Sequence, residues 1–351
     1  MKVTLSNNLK SKPQDESKLG FGKIFTDHMI VKRYKDGAWQ ETEIVPYGPF
    51  SLDPSCACLH YGQEVFEGLK AYRTAKNDIL LFRPEENFKR LNKSNERMGI
   101  PQIDEKEALE DLKALLNIDK DWIPHSKGTS LYIRPFIIAT EVGLGVHPAV
   151  EYIYAVILST SGSYYADKLA PVKILIEDEF VRAVKGGTGT AKTGGNYASS
   201  LIAQEKANKE GYNQVLWLDG VERKYIEEVG AMNVFFVFKD KVITPKLSGS
   251  ILDGITRKSV IEVLKSFGMN VQEEKVSVDD LQEAYEKGEF IEAFGTGTAA
   301  VISPIGELKY KNNVMLLSNG EIGELSLKIY DTLTGIQYGE LEDKFTYTQK
   351  I

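Results

Sequence analysis

The chain has 351 residues, 42% hydrophobic and 26% charged, with a formal net charge of −7. That length exceeds one core of ordinary size and fits two domains of a folded protein. The acidic balance argues against a general nucleic-acid or anionic-membrane surface, and no apolar run reaches the length of a membrane span.

The opening stretch, residues 1–20, is polar and lacks a signal-peptide apolar core, so a cytoplasmic setting is expected. Short strands are predicted at 28–34 and 79–82. Residues 84–98 read as a helix: Pro84 opens it, Phe88, Leu91 and Met98 share one side, and Gly99 closes it. A second helix is predicted over 105–116, then strands rich in Ile, Val and Tyr over 131–140 and 152–160. Cys56 and Cys58 are the only cysteines, too close for an ordinary disulfide and too few for zinc, and the four histidines are scattered. No metal site is expected.

Gly, Ser, Tyr and Pro punctuate residues 161–171, and the domain boundary is placed there, between 1–160 and 172–351. The second half begins with a strand at 172–176. A helix over 197–210 ends at Gly211, a strand follows at 214–219, and 234–239 with 241–244 form a hairpin about Asp240. Helices are predicted at 256–267 and 278–287, each followed by glycine. A strand at 290–294 leads into Gly295-Thr296-Gly297-Thr298-Ala299-Ala300, and a last helix covers 321–333. The class is α/β or α+β in two domains, without repeats.

Lys192 carries the first chemical signal. It lies in Gly186-Gly187-Thr188-Gly189-Thr190-Ala191-Lys192-Thr193-Gly194-Gly195-Asn196-Tyr197, between two glycine-rich runs that let backbone pass close to a ligand. Desolvation in such a pocket disfavours an ammonium and makes a lysine nucleophilic toward aldehydes. A solvated loop with an incidental lysine is the plain alternative. Gly186 to Thr193 also approaches a Walker A loop, with Ala191 where glycine belongs; a P-loop, however, needs a helix opening at the Lys-Thr pair, and Gly194-Gly195 start helices poorly.

Several separated motifs then agree. Phe21-Gly22-Lys23, Phe25-Thr26-Asp27-His28-Met29, His60-Tyr61-Gly62, Phe66-Glu67-Gly68-Leu69-Lys70-Ala71 and Leu131-Tyr132-Ile133-Arg134-Pro135 precede the lysine. Glu228-Val229-Gly230, Gly254-Ile255-Thr256-Arg257 and Gly297-Thr298-Ala299 follow it. In order and spacing they resemble a fold-type IV pyridoxal-phosphate aminotransferase, specifically the branched-chain amino-acid aminotransferases.

That resemblance implies a smaller α/β N-terminal domain and a larger pseudo-barrel domain that binds pyridoxal 5'-phosphate. It assigns Lys192 as the catalytic amine, Glu228 beside the pyridine nitrogen, and Tyr197 to the phenolic oxygen. Arg90, Ile255, Thr256 and Thr298 fall to the phosphate, the arginine through a forked pair of hydrogen bonds. Phe21, Tyr61, Phe66, Tyr132, Val146 and Tyr164 are implied to box an aliphatic side chain. Arg134 with Tyr132 would accept glutamate's distal carboxylate, and the Thr298–Ala299 turn the α-carboxylate. Tyr61 and residues 143–146 would serve the neighbouring subunit of a homodimer. The implied reaction is reversible transamination of leucine, isoleucine and valine with 2-oxoglutarate. The C-x-x-C pair of mammalian relatives is replaced by Ala300 and Ser303, so their thiol switch is absent. A D-amino-acid transaminase, an aminodeoxychorismate lyase, a P-loop-like nucleotide switch and a non-catalytic binding protein are the competing readings.

Overall fold

The computed structural model describes residues 1–162 and 169–351. Tyr164 therefore lies outside the described residues. The chain forms two compact units. One comprises Met1–Ala166, Ala191–Gly194 and Gly335–Ile351; the other comprises Asp167–Thr190 and Gly195–Thr334. The division at 166/167 lies inside the punctuated segment 161–171. Two pieces depart from a simple division at 172, namely the lysine segment 191–194 and the C-terminal residues, which both group with the first unit.

An 11-stranded sheet organises the first unit. Its order runs Lys2–Val3, Glu43–Pro46, His28–Lys35, Tyr152–Ser161, Ser130–Ala139, Leu69–Arg73, Ile79–Phe82 and Thr348–Lys350. Two helices pack on one face. Pro84–Met98 starts on proline and ends at Gly99, whose φ of 66° lets its N–H reach back to the Asn95 and Glu96 carbonyls. Glu105–Ile118 is capped by Asp104, whose side chain accepts from the Lys106 and Glu107 N–H groups. Phe88, Leu91, Leu112 and Leu116 pack there with Leu69, Leu131 and Ile133. Because strand side chains alternate, Lys70, Tyr132 and Arg134 must point to the opposite face.

The second unit is built on a nine-stranded sheet. Ile174, Ile176, Leu216 and Leu218 line one face with Val234 and Phe236. Leu175, Val215 and Trp217 meet Ala203 and Ala207 on the other. The expected hairpin is present as Asn233–Phe238 against Val242–Pro245. Helix Val278–Glu286 opens on a capping box between Ser277 and Asp280.

The last helix runs Glu324–Gln337 rather than 321–333, and two further predicted elements differ. The helix expected over 197–210 is broken into Gly195–Ala198 and Leu201–Lys209. At the break, the Ser199 and Ser200 hydroxyls bond back to the Asn196 and Tyr197 carbonyls, in competition with the helical ladder. The strand expected to stop at 294 runs as Phe290–Gly297. A Cβ on Gly295 would stand 2.9 Å from Val229 and one on Gly297 3.2 Å from Met232, so both glycines serve close packing within the sheet. No helix among the described residues is long and apolar enough to cross a membrane.

Candidate active site

In the first unit the lysine segment is held by its backbone. The Lys192 N–H donates to Ser94 Oγ at 2.9 Å, and the Lys192 carbonyl accepts from the Phe66 N–H at 3.0 Å. The side chain extends over Phe66, with Nζ 4.9 Å from the ring centroid. The same ring meets Arg134, whose guanidinium carbon is 4.7 Å from the centroid, and Arg134 donates to the Tyr132 hydroxyl at 3.1 Å. Phe21 meets Tyr132 edge-on at 4.7 Å. A Cβ on Gly68 would collide with the Tyr132 hydroxyl, so glycine is what admits the phenol there. An amine, three aromatic rings and one guanidinium are thus gathered in one cluster.

Arg90 is buried on helix Pro84–Met98 in the same unit. Its Nε donates to Glu67 Oε1 at 2.7 Å and an NH2 group to Oε2 at 2.9 Å. Asn87 adds a bond to Glu67 Oε2 at 2.8 Å. Burial pushes the Glu67 carboxyl up, but the charge and hydrogen bonds of Arg90, with Lys192's charge added, outweigh it and hold the group below its usual range. The arginine's fork therefore engages a carboxylate in this chain.

Lys70 pairs with Tyr132 on the adjacent strand. Burial pushes its ammonium down to about 8, from 10.5. Below about 8 the folded protein bears the full cost of that buried charge. From there to 10.5 the unfolded chain retains a proton that the folded chain has released, so this cost is progressively relieved as pH rises across the window. Denaturant unfolding should show wild type gaining on Lys70→Met between pH 8 and pH 10.5; a constant difference would remove the buried-charge account.

Tyr61, on the short helix Ala57–Tyr61, donates to the Leu144 carbonyl at 2.5 Å. It thereby ties itself to the loop that carries Val146, which is 83% exposed.

The second unit centres on Glu228, in strand Ile226–Val229 and only 3% exposed. Arg182 Nε lies 2.7 Å from its Oε2. Oε1 accepts from Asn233 Nδ2 at 3.1 Å and from the Leu252 N–H at 3.2 Å. Arg182 is itself fixed by the Gly189 and Ser250 carbonyls. The neighbouring Glu227 turns to the other face of the strand and takes the Ser248 and Ser250 hydroxyls.

Asn233 gathers the remaining pieces. A Cβ on Gly254 would strike its Oδ1, so glycine lets the start of helix Ile255–Ser266 approach. That helix has no side-chain cap and no acid in its first turn, and its N-terminal N–H groups with Ile255 and Thr256 form a positive end. Asn233 also pairs with Thr296, close in sequence to the Thr298–Ala299 turn. This turn is followed by Val301 at φ 63°, a β-branched residue in the left-handed region, which marks the turn as held under strain by its surroundings. Tyr197 is half-buried in the helix Gly195–Ala198. Beside it, Asn196 exchanges two hydrogen bonds with Thr188 at 2.7 and 2.8 Å, locking the glycine-rich loop.

A family model for amino-transferase class IV matches residues 64–308. Branched-chain-amino-acid aminotransferase 2 of Bacillus subtilis (strain 168) is 56% identical over all of this chain and 97% of its own length. The chain belongs to the class IV aminotransferases, in their branched-chain-amino-acid branch. Solved structures agree with this aminotransferase in fold. The Escherichia coli branched-chain amino acid aminotransferase superposes with a TM-score of 0.76 at 28% identity, covering 92% of this chain and 98% of that one. The branched-chain amino acid aminotransferase of T.th., solved in complex with N-(5'-phosphopyridoxyl)-L-glutamate, gives 0.71 at 27%, covering 91% and 97%.

Among the buried charges of this aminotransferase to which sequence reading assigned no role are Glu67, Lys70 and Arg182, all close to site residues. Lys70 and Arg182 each sit among apolar neighbours, Leu69 and Ala71 for one, Val181 and Ala183 for the other. A lone charge inside such a run is the signal that could have found them.

Proposed function

We propose that the protein catalyses reversible, ping-pong transamination between leucine, isoleucine or valine and 2-oxoglutarate, with pyridoxal 5'-phosphate as cofactor. The observation that carries this reading is the cluster around Phe66. It sets a primary amine against an apolar aromatic wall that contains a single guanidinium. Such a wall accepts aliphatic side chains and, through Arg134 and Tyr132, a distal carboxylate that an apolar box alone would reject. One methylene changes affinity by only about 1–3 kcal/mol, so the three amino acids should be separated loosely.

The residues fit the cofactor in kind. They provide an amine at Lys192, a buried acid at Glu228 held in an ion pair, and an uncapped helix N-terminus at Ile255 and Thr256 suited to a phosphate. We assign phosphate binding to those two residues with Thr298 and Arg90. Arg90 would act while its fork is braced by Glu67. Tyr197 is assigned to the phenolic oxygen. When bound, pyridoxal phosphate supplies an electron sink for charge developed at the substrate Cα.

The chain's own groups do the rest. Lys192 would be the attachment point for the cofactor and, once freed by the incoming amino acid, its Nζ would be the base and acid that carries the substrate's Cα proton. Glu228, kept in place by Arg182, Asn233 and the Leu252 N–H, would keep the cofactor's ring nitrogen protonated. Backbone N–H groups at Thr298 and Ala299 orient the α-carboxylate, while Phe21, Phe66 and Tyr132 exclude water around the side chain. A coupled assay of all three amino acids with 2-oxoglutarate tests this; absence of turnover with every one of them would refute it.

We further propose a homodimer in the cytoplasm in which Tyr61 and Val146 serve the partner's site. Leu59, Tyr61, Val142, Leu144, Val146 and Val150 are all exposed, an apolar surface that favours a partner in water. Light scattering should give twice the chain mass. Leu144→Asp combined with Val146→Asp should halve that mass and depress activity, whereas a monomeric, fully active wild type would overturn the assembly.

A further inference from the structure

Three consecutive residues of the lysine segment are fastened to the first unit, and one of the fasteners carries a charge. Strand Glu64–Phe66 supplies it. Glu64 Oε1 accepts from the Gly194 N–H, and also from the Thr193 hydroxyl at 3.2 Å. Together with the Ser94 and Phe66 bonds, this pins the backbone on both sides of Lys192. A Cβ on Gly194 would sit 2.5 Å from Glu64 Oε1, so glycine at 194 is what permits the contact. Thr193 is 2% exposed, and its hydroxyl would lose this acceptor if Glu64 were removed. Glu64 and Phe66 share one face of their strand, and the Arg134 guanidinium lies over the Phe66 ring, so carboxyl and guanidinium occupy the same face. Burial holds that carboxyl above its usual range, against the Gly194 and Thr193 bonds and the positive charge of Arg134.

We propose that Glu64 is a positioning residue for Lys192 and the counter-charge that limits how strongly Arg134 attracts a substrate's distal carboxylate. The inference rests on the transaminase reading and on the roles given to Lys192 and Arg134. Its physical content is twofold. Holding the Thr193 side chain and the Gly194 backbone confines motion to the lysine side chain, so the amine returns to one place in each half-reaction. A negative charge beside Arg134 offsets part of the attraction for a dicarboxylate, which keeps leucine and glutamate in balance within one pocket.

Two substitutions in the cofactor-loaded protein separate these roles. Glu64→Ala removes anchor and charge together; Glu64→Gln keeps an acceptor oxygen for Gly194 and Thr193 but removes the charge. With Glu64→Ala, hydrogen exchange of the peptide spanning 191–195 should accelerate, and the single-turnover rate with leucine should fall about tenfold, the loss of one charge-assisted hydrogen bond. With Glu64→Gln, exchange and leucine turnover should return toward wild type, while KM for 2-oxoglutarate drops several-fold and KM for leucine stays. Thr193→Val, which deletes only the hydroxyl donor, should give a milder version of the first effect and covers the case in which the alanine variant does not fold. Unchanged exchange in Glu64→Ala and Thr193→Val would overturn the anchoring role. An unchanged ratio of the two KM values in Glu64→Gln would overturn the charge role. Failure of the underlying reading would appear differently, as a wild-type protein without transaminase activity.

Discussion

Lys192→Ala is expected to abolish transamination and to eliminate the visible absorbance of protein incubated with pyridoxal phosphate. Both proposed roles of the amine, cofactor attachment and proton transfer at Cα, are lost together. Proton transfer alone is worth about 10²–10⁴-fold, so the turnover rate should fall by at least that factor. The fold should survive. The anchors described for this segment use backbone groups or the Thr193 hydroxyl, and the alanine variant retains each of them. Thermal unfolding of the two cofactor-free proteins should therefore be close, and the loss reads as chemistry. A visible band in the variant, with turnover intact, would end the assignment.

The second large effect is expected at Glu228. Glu228→Gln preserves shape and one acceptor oxygen but takes the counter-charge away from Arg182, a guanidinium at 9% exposure. Breaking one side of a buried pair costs about 3–5 kcal/mol, so a clear fall in unfolding free energy should accompany the loss of activity. Two consequences are thus mixed in one variant. The double variant Glu228→Gln with Arg182→Met separates them, because it removes both charges. Stability should recover much of the way, since neutral replacements of a buried pair are often tolerated, while kcat stays low by about 10²-fold or more for want of the acid at the pyridine nitrogen. Equal recovery of activity and stability would assign Glu228 a purely architectural role.

Local chemistry made much of the fold legible. Pro84, Gly99 and the apolar spacing between them mark a helix whose observed ends are Pro84–Met98. The elements that sequence reading missed are those whose character depends on distant partners. Strand Val301–Tyr310 contains Pro304 and Gly306, poor strand formers, yet it lies between Val172–Glu177 and Phe290–Gly297 in the second sheet. The serines at 199 and 200 gave no warning in spacing alone, because their hydroxyls break the helix only by choosing nearby carbonyls.

The site divides similarly. Lys192, Phe66, Tyr132 and Arg134 were named from motifs, and in the first unit they stand together. Glu228 and the Gly254-Ile255-Thr256 turn were named too, and in the second unit both meet Asn233. What the sequence could not display is the layer beneath: Glu67 under Arg90, Arg182 against Glu228, and Glu64 on the lysine segment. Such pairings join residues 23, 46 and 130 positions apart, and no periodicity encodes them.

The strand Thr348–Lys350 occupies the sheet edge that Ile79–Phe82 would otherwise present. During synthesis, therefore, some 270 further residues must leave the ribosome before that border can be sealed. Until then residues 79–82 offer unpaired amides and carbonyls to any passing chain. The nascent enzyme should be most vulnerable to clumping just before residues 348–350 emerge, a period in which chaperone cover would matter most.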